Sequence, residues 1–262
     1  MSALRRGSCL VLLGVVFSGA VLANVVVGSR VQFRQFFTLG QNGRVTIENQ
    51  YGNVSIVAWD RDDVLVEAVK QTNDPRRMDD ARIVVEPSEG MLAIHTQYAG
   101  SNALNPAKVE YRISVPRSTN LEDVKLGNGG LTISGVAGPV KASSVNGNIR
   151  AEKLEGRAEL STVNGELEAN FQRVKPAEQI VLRSVNGPIR LMLPCGAKAS
   201  LSAHNVSGGI LSDFGHPSRV DGEQKLEVRG GGARIRLDNV NGGISIHSGP
   251  IHSAWSRRGG TL

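Results

Sequence analysis

The chain has 262 residues, 30 basic against 24 acidic side chains, and aromatics at only 4%. That length allows one large all-β domain or two small ones, and the shortage of rings leaves any core to Val, Ile, Leu and Ala. The formal charge of +6 falls to +4 if Arg5 and Arg6 leave with a leader, and the two signs alternate along the chain, which excludes the clustered basic stripe of a nucleic-acid binder.

Residues 1–23 read as an export signal: Arg5 and Arg6, an apolar run from Cys9 to Phe17, then small residues suited to cleavage after Ala23. The competing reading is an uncut membrane anchor, for which the run is short. Cleavage leaves no further span, and the expected location is the periplasm, the cell surface or the medium. Cys195 is then alone, unable to form an internal disulfide, and is expected to be a buried, inert thiol.

Residues 24–120 are expected to form an N-terminal, more irregular antiparallel β region with a cap. Val25 to Val27, Phe33, Phe36 and Phe37 supply its apolar lead-in. Two strand-like runs follow, 44–48 and 54–59. Asp60, Arg61, Asp62 and Asp63 make a charged turn without the spacing of a calcium loop. A helical turn is expected near Pro75, capped by Asn73 or Asp74, then a hairpin of 83–86 with 91–95, and an alternating strand from Lys108 to Val115.

From 121 to 246 the chain repeats. Glycine recurs every nine residues at Gly129, Gly138, Gly147, Gly156 and Gly165. Apolar residues fall at positions 0, +4 and +6 of each unit: Val136, Val140, Ala142; Val145, Ile149, Ala151; Leu154, Ala158, Leu160; Val163, Leu167, Ala169. All three positions are expected to face a core, with charged residues between them facing water. The rhythm breaks at 170–176, resumes at Val185, Ile189 and Leu191, weakens at Val206 and Ile210, and closes with Ile235, Leu237, Val240, Ile244 and Ile246. Residues 247–262 are expected to be a flexible tail, and 24–246 one continuous domain.

Asn-Gly, each time after Val, stands at 146–147, 164–165, 186–187 and 241–242 and alternates with unlike corners such as Ala137-Gly138 and Glu155-Gly156. The true period is therefore eighteen. That alternation favours a β-solenoid of about 18–22 residues per coil, with Asn146, Asn164 and Asn186 stacked as a hydrogen-bonded ladder. The alternative is a β-meander or sandwich, since Asn-Gly is also the strongest hairpin signal.

The segment Gly43 to Asp60, the run Tyr111 to Pro116 and the serial Ser/Thr-Val-Asn-Gly units resemble a family of proposed bacterial adhesins, DUF4097, a β-repeat domain of uncharacterised function. The resemblance covers nearly all of the chain after the signal. It implies an exported or envelope-associated repeat domain and brings no site residues with it.

No catalytic, cofactor-binding or metal-ligating residue is assigned. The outward acids Glu152, Glu159, Glu166 and Glu168 are interspersed with Lys and Arg, as on a salt-bridged face. Calcium β-roll aspartates are missing, and the five histidines lack ligand spacing. Trp59, Tyr51, Tyr98 and Tyr111 are expected to serve packing before sugar stacking. The expectation is thus a non-catalytic exported protein, an adhesin or envelope scaffold and binding module, whose partner the sequence leaves unknown, with a cell-surface polysaccharide or an envelope protein as the candidates and nucleic acid excluded. The alternatives are a carbohydrate-active β-helix lyase or hydrolase and a self-assembling envelope filament.

Overall fold

The computed structural model describes residues 30–249 apart from 41, 73 and 100–105; the signal, most of the tail and Val25 to Val27 lie outside the described residues. The strands are β1 (Arg30–Thr38), β2 (Arg44–Tyr51), β3 (Val54–Trp59), β4 (Asp63–Gln71), β5 (Ala81–Ser88), β6 (Met91–Tyr98), β7 (Lys108–Pro116), β8 (Asn120–Asn128), β9 (Leu131–Ser134), β10 (Val140–Asn146) and β11 (Ile149–Leu154). There follow β12 (Ala158–Asn164), β13 (Leu167–Phe171), β14 (Gln179–Asn186), β15 (Ile189–Leu193), β16 (Ala199–Ser207), β17 (Ile210–Ser212), β18 (Ser218–Val220), β19 (Glu223–Arg229), β20 (Ala233–Asn241) and β21 (Ile244–Ser248). A 3-10 turn, Pro75–Asp80, is capped by Asp74, whose carboxylate accepts from Arg76 N.

The all-β expectation holds. A ten-stranded sheet A runs β1-β4-β7-β3-β9-β11-β13-β15-β21-β17, and an eleven-stranded sheet B runs β18-β19-β16-β20-β14-β12-β10-β8-β2-β6-β5. From β8 to β17 successive strands alternate between the sheets, so each neighbouring pair is a tier with one strand in each. The stacked strands are parallel, Ile149 opposite Leu167 in sheet A and Leu160 opposite Leu182 in sheet B.

Inward residues follow the period of two. Leu131, Ile149, Leu167, Ile189 and Ile244 form one row across sheet A, and Val124, Ala142, Leu160, Leu182 and Leu237 one across sheet B. Both rows are buried and belong to one apolar cluster. Burying each large aliphatic side chain contributes roughly 1.5–3 kcal/mol. Phe171 stands opposite Leu154 in register and is fully buried.

Position 0 of the nine-residue pattern faces inward at only one of the two corners. Val136 and Leu154 are buried, whereas Val145, Val163, Val185, Val206 and Val240 are 40–49% exposed. Strict alternation along β10 explains this: Val140, Ala142 and Ser144 point in, so Val145 points out. The buried places near that corner are polar instead: Ser144, Thr162, Ser184, Asn239 and Asn205. Four of them bond to corner carbonyls, Ser144 Oγ to Gly129 O at 3.5 Å, Thr162 Oγ1 to Gly147 O at 3.1 Å, Ser184 Oγ to Gly187 O at 3.2 Å, and Asn205 Nδ2 to Gly242 O at 2.8 Å.

The N-terminal region is also not simply antiparallel. β2 and β3 stack in parallel on β8 and β9, and β6 and β7 stack in parallel beyond them. The hairpin arms between these strands return the chain to its starting direction, as parallel pairing requires. Antiparallel pairing there is confined to β1 with β4, β4 with β7 and β5 with β6, and the last of these is the expected hairpin. At the other end β19 and β18 add antiparallel strands to β16. Edge strand β5 carries Pro87, which cannot donate to a further strand.

The last repeats do not stack in chain order. β20 and β21 lie between β14/β15 and β16/β17, so among the described residues the last tier in sequence is an interior one.

Candidate functional site

Two surface features are built by the tiers. The first is the Asn-Gly corner. Asn146 Nδ2 donates to Asn128 Oδ1 at 2.9 Å, Asn164 to Asn146 at 2.8 Å, Asn186 to Asn164 at 2.9 Å, and Asn241 to Asn186 at 2.9 Å. The ladder predicted for three asparagines thus extends to Asn128 and Asn241. Backbone bonds carry the sheet through the corner, Gly147 N to Asn164 O and Gly165 N to Asn186 O, both 2.9 Å. Four of the five exposed valines, Val145, Val163, Val185 and Val240, precede ladder asparagines, giving a narrow apolar stripe beside a row of amides.

The second feature is one residue row on the outer face of sheet A. Register places Arg34, Glu67, Arg112, Ser55, Thr132, Arg150, Glu168 and Arg190 side by side. Arg34 pairs with Glu67 at 3.2 Å, Arg150 with Glu168 at 3.0 Å, and Arg190 with Glu166. On sheet B, Arg183 reaches Glu159 at 3.1 Å. The outward acids singled out in the sequence are therefore, at Glu159, Glu166 and Glu168, partners of arginines on neighbouring tiers.

Around Arg112 the row opens into a groove of ≈ 590 Å³ lined by Arg34, Glu67, Glu110, Ser55, Thr132, Asn53 and Gly130. Its floor is held by the β3 corner. Asn53 Oδ1 accepts from Gly130 N at 2.7 Å, and Asn53 N donates to Glu110 Oε2 at 3.1 Å. Beneath it Tyr111 is buried, and burial pushes its hydroxyl up to about 12. Thr96 Oγ1 donates to Asn49 Oδ1 at 3.1 Å, which leaves Tyr111 as donor in the 2.8 Å contact between the two hydroxyls. The groove offers a guanidinium, hydroxyls, carboxylates and a backbone edge: the means to hold a small polar ligand.

Sequence reasoning did not find Arg112, Ser55 or Thr132 as a group, because β7 and β3 become neighbours only through the order of the tiers. The aromatics behave as expected of packing residues. Tyr51 and Tyr98 meet edge to face at 5.3 Å, and Trp59 stacks on Phe36 at 6.4 Å. Arg61 at the charged turn is paired with Asp63 at 2.6 Å. Cys195, expected to be buried, is exposed in the turn after β15. Among the described residues no group of three His, Cys, Asp or Glu side chains converges as metal ligands would, and no helix is long and apolar enough to cross a membrane.

No protein-family model and no curated protein matches the sequence. Among solved structures the chain is similar to a proposed cell adhesion protein from Clostridium sporogenes, at 11% identity over 84% of this chain and 100% of that one, with a TM-score of 0.45. It is similar also to a proposed adhesin from Bacteroides fragilis (11%, 83% and 97%, 0.46) and a proposed lipid-binding protein from Parabacteroides distasonis (12%, 82% and 96%, 0.35). At such identities and TM-scores no residue role passes from them to this chain.

Proposed function

We propose that the chain is an exported, non-catalytic binding module of the cell envelope, an adhesin or scaffold, in which residues 121–246 wind as a β-solenoid that continues the N-terminal β region in one domain. Ladder partners 18 and 22 residues apart support coils of those lengths, and the leader-like residues 1–23 support export. The observation that carries the binding role is the groove around Arg112 on an outer face where neighbouring charges are already paired.

The test is binding of the purified chain to cell-wall fractions, surface polysaccharide and host matrix. Saturable binding to one of them, without change in the polymer, is expected. Cleavage of any glycan, or binding to none of them, overturns the proposal.

A further inference from the structure

We infer that the groove on sheet A is a carboxylate-recognition site for an acidic sugar, with Arg112 as the residue that takes the carboxylate. The inference rests on the binding role proposed above and names its ligand class.

Among the described residues, three of the four arginines in the row have an acidic partner: Arg34, Arg150 and Arg190. Arg112 has none, although Glu67 and Glu110 line the same groove. Both acids are already engaged. Glu67 is held by Arg34 at 3.2 Å, and Glu110 accepts the Asn53 N–H at 3.1 Å. The next two places in register beyond Arg112 are the hydroxyls of Ser55 and Thr132. A planar guanidinium beside an open, hydroxyl-lined floor suits a bidentate carboxylate.

The same surroundings narrow the ligand. Two arginines and two glutamates line the groove, so it has no net charge, and Glu67 and Glu110 repel a dense polyanion or a phosphate group. A monocarboxylate that also carries hydroxyls meets every group present: carboxylate on Arg112, sugar hydroxyls on Glu110 and Glu67, ring oxygens within reach of Ser55 and Thr132. A volume of ≈ 590 Å³ falls within the range of small-ligand sites. A uronic-acid residue within a polysaccharide has this chemistry.

The experiment is calorimetric titration of the full chain with methyl galacturonoside, a single uronate, with its methyl ester, and with inorganic phosphate. The uronate is expected to bind, and the ester and phosphate at least tenfold more weakly. Arg112→Gln should lose at least tenfold in affinity and Arg112→Lys less. Arg183→Gln, the same loss of charge on sheet B, should bind as the parent does, and unchanged thermal unfolding shows that the variants are folded. Equal affinity in Arg112→Gln, phosphate binding as tight as uronate, or no uronate binding overturns the inference. If the chain adheres to envelope polysaccharide but ignores uronate, only this inference falls; if it adheres to nothing, the binding role falls with it.

Discussion

Asn241 and Asn186 are 55 residues apart in sequence, yet Asn241 Nδ2 donates to Asn186 Oδ1 across 2.9 Å, in the same contact that joins Asn164 to Asn146 at 18 residues and 2.8 Å. The ladder does not distinguish a consecutive tier from one delivered by a long excursion. What it requires is an amide at the corner and a parallel neighbour in register.

Asn186 accepts one bond and donates another, so Asn186→Ala removes both. At about 0.5–1.5 kcal/mol net per hydrogen bond, the variant should lose about 1–2 kcal/mol of unfolding free energy, read from the urea midpoint. Asn128→Ala, whose donated bond to Gln50 O is a weak 3.5 Å, should lose less. Equal losses would show that the ladder acts through backbone propensity and not through its bonds.

Gly187 has φ +142, and a Cβ there would drive into the Gly165 carbonyl oxygen one tier away. Gly187→Ala should therefore destabilise by about 2–4 kcal/mol. Gly209→Ala meets nothing within 4 Å and should stay within about 0.5 kcal/mol of the parent. Thermal or urea unfolding of the two variants gives the comparison, and a tolerant Gly187 would contradict the close approach of the corners.

Tyr111 sets an alkaline limit. Its hydroxyl is raised to about 12 by burial, against 10 for an exposed tyrosine. Below pH 10 both states keep the proton and the group has no effect on stability. Between pH 10 and 12 the unfolded chain releases it first, so stability is lost as pH rises through that window, by about 2–3 kcal/mol. Tyr111→Phe should flatten this part of the profile, and a slope identical to the parent's would remove Tyr111 as its source.

Much of the fold was legible because the repeat states its own geometry. Val140, Ala142, Ile149 and Ala151 announce inward positions by their period, and Asn-Gly announces a corner. The exposed valines were misread because a nine-residue template treats both corners alike, whereas Ser144 and Thr162 show that alternation runs one residue further at the Asn-Gly corner. The order of the tiers was not legible, since Ile235 and Leu237 carry the same pattern as Leu201 and Ala203 and would pack equally well in either place. The groove was hidden for the same reason: Arg112 and Ser55 are brought together by that order and by no local signal.

The inward placing of β20 and β21 changes what the C-terminal end of the chain means. In an ordinary array the last-synthesised unit is a lid, and trimming it shortens the stack by one. Here trimming residues 233–249 takes a board from the middle of the pile and leaves β16 and β17 with no floor beneath them. The pile therefore closes only once β20 and β21 are available, through contacts that span dozens of residues and form slowly.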